Sequence, residues 1–391
     1  MNSREIKNII VILGILSLFL VFSAYLNYNK PLKTHKKVSK CQNIILITLE
    51  STRSDHLSCF GYRRNTTPEI CRFANKSLQF KGAKSGGHTA ISIPSIMTSY
   101  QPYRLDISSH KDYFNETNHM LTALDENSYK TKFMSNTLFE DLNWINFNFK
   151  KLNSSSRLNN ASINFLNSDS GKKFLWIHYK RNHFPYRPLK DFEGIYSNSS
   201  GLNMTIVEDI YLSSQRAEGQ NEFIKKFEAK KIKRELEYIK NKYDESLRSV
   251  DFTVGKLFER LKEENIFNKS LIILTSDHGE SLGEHNRYFI HKGVYEEVLN
   301  VPLLISLPQN RNISKKSTEK ARLIDILPTV LDYCDLRYEQ SDTFDGKSLI
   351  GEPRKNKMNR LSVAKYKPHN TIGMVYSIQN ASLKYIFNPT T

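Results

Sequence analysis

The stretch Leu271-Ile-Ile-Leu-Thr-Ser-Asp277-His278 decides what kind of fold this chain can have. It is a short, strongly apolar run that ends in a carboxylate and an imidazole, and Gly-Glu-Ser-Leu-Gly-Glu-His follows at once. Such a run is typical of a strand buried on both faces of a parallel sheet. Ligands bind beyond the carboxyl ends of such strands, so Asp277 and His278 are candidates for binding or catalysis. A turn that caps a helix is the structural alternative for this pair.

Three further short runs are similarly apolar, namely Asn43–Leu49, Phe174–Ile177 and Val301–Leu307. Helical patterns lie between them, including apolar residues that recur every three to five positions from Phe223 to Val250. This alternation predicts an α/β fold with a doubly wound, mostly parallel sheet flanked by helices. Residues 153–170, which are rich in Ser and Asn, are predicted to form a surface insertion.

The chain is strongly basic, with 391 residues and a formal net charge of +17. A basic surface attracts anionic lipid head groups or a polyanionic glycolipid. We predict no nucleic-acid partner, because no helix-turn-helix, RNA-binding sheet motif or zinc finger accompanies the charge. The cysteines Cys41, Cys59, Cys71 and Cys334 permit disulfides without requiring them, and the absence of Cys-x-x-Cys excludes the usual redox motif.

The N-terminal region predicts a membrane anchor. Residues 1–7 form a tail and residues 8–28 an uncharged, apolar segment, which at about 1.5 Å per residue can just cross a bilayer core of roughly 30 Å. A signal peptide is the alternative, but Phe22-Ser23-Ala24 is a poor cleavage site. Residues 29–41 are predicted to form a basic linker, and residues 42–391 are predicted to form one large domain.

Two features of the sequence predict opposite orientations for this anchor. Arg4 and Lys7 precede the apolar segment, whereas five lysines follow it between positions 30 and 40. The positive-inside rule therefore places the large domain in the cytoplasm. The function inferred below favours the opposite side.

Candidate site residues follow other strand runs as well. Glu50 comes directly after Asn43–Leu49, so it stands at the same kind of strand exit as Asp277. His178 and His183 follow the run that begins at Phe174, and His291 lies beyond the Asp-His turn. Each of these residues has an ordinary structural alternative when it is taken alone.

The stretch Gly86-Gly-His-Thr89-Ala-Ile-Ser92-Ile-Pro94 places hydroxyl residues at a predicted helix start. The free N–H groups and the positive dipole end of a helix suit a phosphate or sulfate. A hydroxyl bound to a metal there can become a nucleophile, although capping of the helix is the common use of such a residue. Together with the strand exits, this pattern predicts a metal site with a nucleophile and an anion cradle.

At this point the chain resembles the alkaline phosphatase and sulfatase superfamily, and within it the phosphoethanolamine transferases. The resemblance covers roughly residues 42–350. The matching segments, in order, are Glu50-Ser-Thr-Arg-Ser-Asp-His, Gly61-Tyr with Thr66-Thr-Pro, Thr89-Ala-Ile-Ser-Ile-Pro94, His178 with His183, Tyr243 to Asp251, Ser276-Asp-His-Gly-Glu-Ser-Leu-Gly-Glu284, His291, Val301-Pro-Leu-Leu, and Asp325-Ile-Leu-Pro-Thr329.

The resemblance implies a role for each of these residues. A catalytic Zn²⁺, with Mn²⁺ or another divalent cation as the alternative, would be held by Glu50, Thr89, Asp277 and His278. Thr89 would be the nucleophile that carries the phosphoethanolamine intermediate. His183 and His291 would bind the phosphoryl group, hold a second metal or assist proton transfer, and His178 is a weaker match.

Two details argue against a sulfatase. Sulfatases share a Cys-or-Ser-x-Pro-x-Arg segment whose first residue is oxidised to formylglycine, and Ser92-Ile-Pro-Ser-Ile96 has Ile in the place of Arg. Glu50 also replaces an Asp pair that helps to hold calcium in sulfatases. Ser92 remains a rival nucleophile because it stands at the sulfatase-like offset before Pro94. Relative to lipid A phosphoethanolamine transferases, the chain has a single apolar segment and Ser95 in the place of a cysteine.

The resemblance implies a membrane-anchored transferase that moves phosphoethanolamine from a phospholipid donor to a lipopolysaccharide or another cell-surface glycan. It implies a bacterial inner-membrane protein with one span and its catalytic domain in the periplasm. A phosphoglycerol transferase, or a phosphoester or sulfate ester hydrolase, would use the same metal site. A catalytically silent glycan-binding or lipid-binding module is the alternative from a different class.

Overall fold

A computed structural model of the chain describes residues 40–105, 119–136, 149–198, 202, 204–207, 233–308, 315–317, 320–350, 361–366, 374–380 and 382–388. The predicted tail and anchor, and nearly all of the linker, lie outside these residues. In the described residues, no helix combines the length and apolar composition that a membrane span requires.

The predicted strand runs form the centre of an eight-stranded sheet within the described residues, with the order β10-β2-β9-β6-β1-β5-β3-β4. A three-stranded sheet, β11-β12-β13, and a two-stranded ribbon, β7-β8, accompany it. The strands are β1 (Asn43–Leu49), β2 (Leu78–Lys84), β3 (Lys130–Ser135), β4 (Phe149–Lys151), β5 (Lys173–Tyr179), β6 (Ser270–Ser276), β7 (Ser281–Leu282), β8 (Tyr288–Ile290), β9 (Asn300–Ser306), β10 (Lys315–Ser317), β11 (Ser362–Tyr366), β12 (Val375–Gln379) and β13 (Lys384–Phe387).

Strand directions agree with a mostly parallel sheet, with one exception in the predicted runs. β1 is parallel to both β5 and β6, whereas β9 is antiparallel to both β6 and β2. The expectation that the run Val301–Leu307 is a parallel strand is therefore wrong. A strand buried on both faces reads as continuously apolar in either direction, and the link from β6 to β9 lacks the long helical crossover that a parallel neighbour requires.

Helices cover both faces of the central sheet. They are α1 (Pro68–Ala74), α2 (Thr89–Thr98), α3 (His119–Glu126), α4 (Ser155–Leu166), α5 (Lys233–Glu263), α6 (Glu296–Leu299) and α7 (Ile326–Cys334). Buried side chains of α2, α3 and α7 pack with Ile44 and Leu46 of β1 in one core. Those of α1, α4 and α5 pack with the alternate residues Ile45, Ile47 and Leu49 in a second core. Successive side chains of β1 therefore enter opposite cores, each covered by helices, which confirms the doubly wound arrangement.

Helix α4 corrects the prediction that residues 153–170 are a surface insertion. Ser154 caps the helix by accepting a hydrogen bond from the Arg157 N–H, and Leu158 and Ile163 are buried in the second core. The Ser and Asn residues obscured this pattern because they occur at the cap and on buried helical positions where they bond locally, as Ser162 does with the Leu158 carbonyl.

All four cysteines are paired in disulfides. Cys41 joins the start of β1 to Cys334 at the end of α7, and Cys59 joins Cys71. The first bond ties the start of the central strand to a helix end 293 positions away in sequence. The second bond links two nearby segments of the same α/β fold.

Candidate metal centre

Three strand-exit side chains meet at one edge of the sheet. β1 pairs in register with β6, Leu49 opposite Ser276, so the residues that follow the two strands emerge side by side. Ligand atoms of Glu50, Asp277 and His278 all lie within 4.8 Å of one another, and the three side chains are buried. Parallel pairing thus brings together residues that are more than 220 positions apart.

Thr89 completes this group from the first turn of α2, which begins at that residue as predicted. Its hydroxyl donates to Asp277 Oδ2 at 2.8 Å and lies 3.1 Å from His278 Nε2. Gly87 makes the approach possible: its φ is +110°, and a Cβ there would lie 2.7 Å from the Gly293 carbonyl oxygen. Only glycine adopts this backbone without strain, so the paired glycines are a steric requirement of the site.

Backbone carbonyls fix the tautomers of two histidines. His278 Nδ1 donates to the Gly279 carbonyl at 2.8 Å, which leaves the Nε2 lone pair facing Thr89. His183 Nδ1 donates to the Phe184 carbonyl, and its Nε2 lies 3.6 Å from Glu50 Oε1. In each ring, Nδ1 is therefore bonded to a carbonyl and Nε2 is the nitrogen that points toward the cluster.

Glu50 is held by two histidines, His178 near the end of β5 and His183 in the loop that follows the strand. His178 Nε2 lies 3.2 Å from Glu50 Oε2, and Thr48 Oγ1 contacts the other nitrogen of the same ring at 2.7 Å. Burial alone would raise the pKa of Glu50, but His183 and the hydrogen bond from His178 outweigh it and lower that pKa well below its usual value. Glu50 is therefore ionised, as a metal ligand must be.

His291 lies against the same cluster. Its ring centroid is 4.4 Å from that of His183 and 5.6 Å from that of His278. Burial, together with His183 and His278, lowers the pKa of His291 well below its usual value. The structure thus brings together all the predicted site residues, while their chemical roles stay predictions.

Two further residues of the cluster escaped the sequence reasoning. His88 is the N-cap residue of α2, is 3% exposed, and its charge would lower the pKa of His291. Glu280 is fully buried, and in the described part of the chain neither of its carboxylate oxygens accepts a hydrogen bond of normal geometry. The sequence signal for His88 was its position next to Thr89, and that for Glu280 was its position three residues after Asp277.

Burial raises the pKa of Glu280 well above its usual value, and the Tyr186 hydroxyl and Arg53 only partly oppose this. Burial of a carboxylate favours its neutral form, and at Glu280 this effect exceeds the opposing effects of its neighbours. A cationic group bound nearby would return it to the charged form.

Ser92 is placed differently from Thr89. It is fully buried, and its hydroxyl oxygen accepts a hydrogen bond from the Gly86 N–H at 3.0 Å. That bond closes the glycine turn before α2. The rival nucleophile thus has a structural partner, whereas Thr89 contacts the acidic cluster.

The residues present fit a divalent cation. Thr89 has one hydroxyl proton, which it donates to Asp277 Oδ2, and its oxygen also lies 3.1 Å from His278 Nε2. A neutral His278 that donates from Nδ1 would place its Nε2 lone pair against that oxygen, a contact that a cation would relieve. Two carboxylates, one imidazole and a hydroxyl form a donor set that suits Zn²⁺ or Mn²⁺.

Comparisons with known proteins agree with this geometry. Residues 42–336 match the family model described as Sulfatase. An arylsulfatase of Clostridium perfringens is 30% identical over 196 residues, which are 49% of this chain and 40% of that protein. The matched stretch thus spans less than half the length of this curated relative.

Solved structures share the fold. A phosphonate monoester hydrolase of Agrobacterium radiobacter superposes with a TM-score of 0.69 at 15% identity, covering 88% of this chain and 87% of that one. The C-terminal periplasmic domain of EcEptC from Escherichia coli, in complex with Zn, has a TM-score of 0.59 at 16% identity and covers 88% and 94%. Since the family model spans most of the chain, this protein belongs to the sulfatase family of the alkaline phosphatase and sulfatase superfamily.

Proposed function

We propose that this protein is a metal-dependent phosphoethanolamine transferase with Thr89 as its nucleophile. One observation carries the proposal: the Thr89 hydroxyl donates to Asp277 at the N-terminus of α2, within the group formed by Glu50, Asp277 and His278. A threonine cannot be oxidised to formylglycine. The position that contacts the cluster therefore suits attack on phosphorus and not formylglycine-dependent sulfate ester cleavage.

The reaction has two displacements. Thr89 Oγ1 forms a bond to the phosphorus of phosphatidylethanolamine, and the bond from phosphorus to the diacylglycerol oxygen breaks. The Thr89 proton leaves along its hydrogen bond to Asp277, and the diacylglycerol oxygen takes up a proton. An acceptor hydroxyl on the glycan then attacks the phospho-threonine: a bond from phosphorus to the acceptor oxygen forms and the bond from phosphorus to Thr89 Oγ1 breaks. The acceptor loses its proton and the Thr89 oxygen takes one up, which restores the Thr89 hydroxyl.

A metal held by Glu50, Thr89, Asp277 and His278 would supply positive charge that acidifies the hydroxyl and stabilises phosphoryl oxygens. The N–H groups at the start of α2 add to this charge. His291, with its lowered pKa, is neutral near pH 7 and can accept a proton but has none to spare for a leaving group. Burial lowers the pKa of His183 as well, but Glu50 opposes that shift, so His183 is the better candidate to deliver a proton.

The buried carboxylate of Glu280 favours an ethanolamine head group. Burial raises its pKa, and the Tyr186 hydroxyl and Arg53 oppose this only in part. The ammonium of phosphoethanolamine would add a positive charge that favours the ionised carboxylate, whereas a glycerol head group would not. This supports the proposed transferase over a phosphoglycerol transferase with the same metal centre.

The proposed location is the periplasmic face of a bacterial inner membrane, with residues 8–28 as the anchor. Two disulfides within the catalytic region favour an oxidising compartment over the cytoplasm, against the lysine count after the apolar segment. Phospholipid donor and lipopolysaccharide or other glycan acceptor meet at that face. The net charge of +17 suits an anionic glycan acceptor and a membrane surface that contains anionic lipids.

A phosphoester or sulfate ester hydrolase is the second candidate. The sequence similarity to an arylsulfatase favours it, because hydrolysis needs the same cluster with water in place of the acceptor. Release of nitrophenol from nitrophenyl phosphate or sulfate, without any acceptor, would identify this activity. A transferase shows turnover that depends on the acceptor.

Mass spectrometry of the full chain after exposure to phosphatidylethanolamine vesicles tests the nucleophile and the head group together. We expect a phosphoethanolamine increment on the peptide that contains Thr89, its retention in Ser92→Ala and its loss in Thr89→Ala. An increment that persists in Thr89→Ala and disappears in Ser92→Ala would refute the assignment. Turnover of nitrophenyl esters with no covalent increment would favour the hydrolase.

A further inference from the structure

The segment from Tyr243 to Asp251 lies on α5, and the proposed reaction gives none of its residues a role. Three of its side chains hold the crossover that follows β1. Tyr243 bonds the backbone of the turn after Glu50, Asp244 bonds three side chains between positions 56 and 64, and Asp251 accepts N–H groups from the first turn of α1. Of these three residues, Tyr243 is the one that bonds the metal-binding turn.

The hydroxyl of the fully buried Tyr243 makes two hydrogen bonds to the backbone of this turn. It donates to the Ser51 carbonyl at 2.9 Å and accepts from the Arg53 N–H at 3.0 Å, while Asn182 Nδ2 adds a longer contact of 3.4 Å to the same carbonyl. The turn needs such partners because Ser51 is buried beyond the end of the strand and has a φ of +55°, which is uncommon for a residue other than glycine. Burial raises the pKa of Tyr243 well above its usual value, so the hydroxyl keeps the proton that it donates.

The side chain of Arg53 connects this turn to the turn after β6. Its Nη1 donates to the backbone carbonyl of Glu280 at 3.1 Å. The guanidinium also donates to Asp55 at 2.8 and 2.9 Å and to Glu284 at 2.7 Å, so its orientation is fixed from both sides. The Arg53 side chain is only 7% exposed, which shields these bonds from water. One arginine thus bonds both metal-binding turns, and Tyr243 fixes the backbone of that arginine.

We propose that Tyr243 is a positioning residue of the metal centre. It fixes the backbone at Arg53, and through the Arg53 guanidinium it sets the spacing between Glu50 and the Asp277-His278 pair. Residues that orient the ligands of a metal change its affinity by about 10- to 100-fold. The inference rests on the proposed function for its catalytic meaning, whereas the affinity of the chain for a cation can be measured without any substrate.

The Zn²⁺ affinity of the full chain, measured by competition with a chelator, tests this role. Tyr243→Phe keeps the ring and removes both backbone bonds, so affinity should weaken by about tenfold or more. The matched control is Tyr129→Phe, because the Tyr129 hydroxyl also donates to a buried backbone carbonyl, that of Cys41 before the start of β1, at 2.6 Å. Without metal, both variants should unfold at a lower denaturant concentration than the wild type. Only Tyr243→Phe should lose Zn²⁺ affinity, and equal affinities of the two folded variants would overturn the proposal.

Substitution of Arg53 tests the connection between the two turns. Arg53→Gln should weaken Zn²⁺ binding by itself. In the double variant Tyr243→Phe, Arg53→Gln the loss should be smaller than the product of the two single losses, because the tyrosine no longer has a guanidinium to position. Single losses that multiply, or an unchanged affinity in Arg53→Gln, would refute the connection even if Tyr243→Phe failed to fold.

The visible spectrum of the Co²⁺-loaded chain provides a readout of ligand geometry. The spectrum should change in Tyr243→Phe and stay the same in Tyr129→Phe. A wild-type chain that shows these metal effects but transfers no phosphoethanolamine would refute the proposed function and support the role of Tyr243. Active transfer by the wild type, together with an unchanged spectrum and Zn²⁺ affinity in Tyr243→Phe, would overturn the role of Tyr243 and leave the proposed function intact.

Discussion

The turns after β1 and β6 each carry a buried glutamate, Glu50 and Glu280, and the two carboxylates lie in opposite electrostatic environments. Glu50 has His178 and His183 within 3.6 Å, and its pKa is lowered in spite of its burial. Glu280 is more deeply buried, lacks such partners in the described residues, and its pKa is raised. Burial by itself therefore does not decide the charge of a carboxylate at this site; the neighbouring donors do.

The largest effect is expected from substitution of Glu50, the glutamate that follows β1. Glu50→Gln removes an ionised ligand, so metal content should fall and transfer to the acceptor should decrease by about 10³-fold. Elemental analysis of the purified protein and rates with phosphatidylethanolamine vesicles measure both. Glu263→Gln on the exposed end of α5 is the control. Full metal occupancy in Glu50→Gln would mean that the cation, if any, is held elsewhere.

Unlike Glu50→Gln, Glu280→Gln should lower catalytic efficiency without lowering the metal content. The variant keeps its metal but loses a charge-assisted contact to the head group, so kcat/KM with phosphatidylethanolamine should fall by about 10- to 100-fold. With a donor that bears no ammonium group, kcat/KM should hardly change. An equal loss with both donors would assign Glu280 to the metal centre and remove the distinction between the two turns.

A smaller effect is expected from the residue that orients Glu50. His178→Gln removes the imidazole but not the carboxylate, so metal affinity should weaken by about tenfold, as for other residues that position a ligand. Competition with a chelator measures this change. The comparison variant is His119→Gln, which alters a buried histidine bonded to Tyr100 and Tyr338, away from the cluster. Unchanged affinity in His178→Gln would show that Glu50 is positioned without it.

The smallest effect concerns stability and pH. The pKa of Glu280 is higher in the folded chain than in the unfolded one, so its contribution is present below the unfolded value of 4.5 and is lost as pH rises toward the folded value. Relative to Glu280→Gln, the metal-free wild type should lose up to about 1.4 kcal/mol of unfolding free energy per pH unit across that window. Denaturant titrations at pH 5 and pH 7.5 provide the measurement, and a difference that is the same at both pH values would contradict the raised pKa.

Local sequence patterns predicted much of the framework. The runs at Asn43–Leu49 and 271–275 are strands, and α2 begins at Thr89 after two glycines. These features depend on side-chain volume, backbone freedom and the positions of apolar residues, all of which can be read from residues that are close together in the sequence. The direction of β9 and the helix at Ser155–Leu166 were predicted wrongly, because burial on both faces hides direction and polar helical positions hide periodicity.

The sequence by itself determined that Glu50 and the Asp277-His278 pair stand at strand exits and that Thr89 opens a helix. Only the tertiary structure decided that Ser92 is engaged by Gly86, that His88 joins the cluster and that Cys41 bonds Cys334. It also decided that the pKa of Glu50 is lowered while that of Glu280 is raised. The physical reason is that the energy of a charge or a hydrogen bond depends on distances between atoms from remote segments, and those distances exist only after the sheet has brought the segments together.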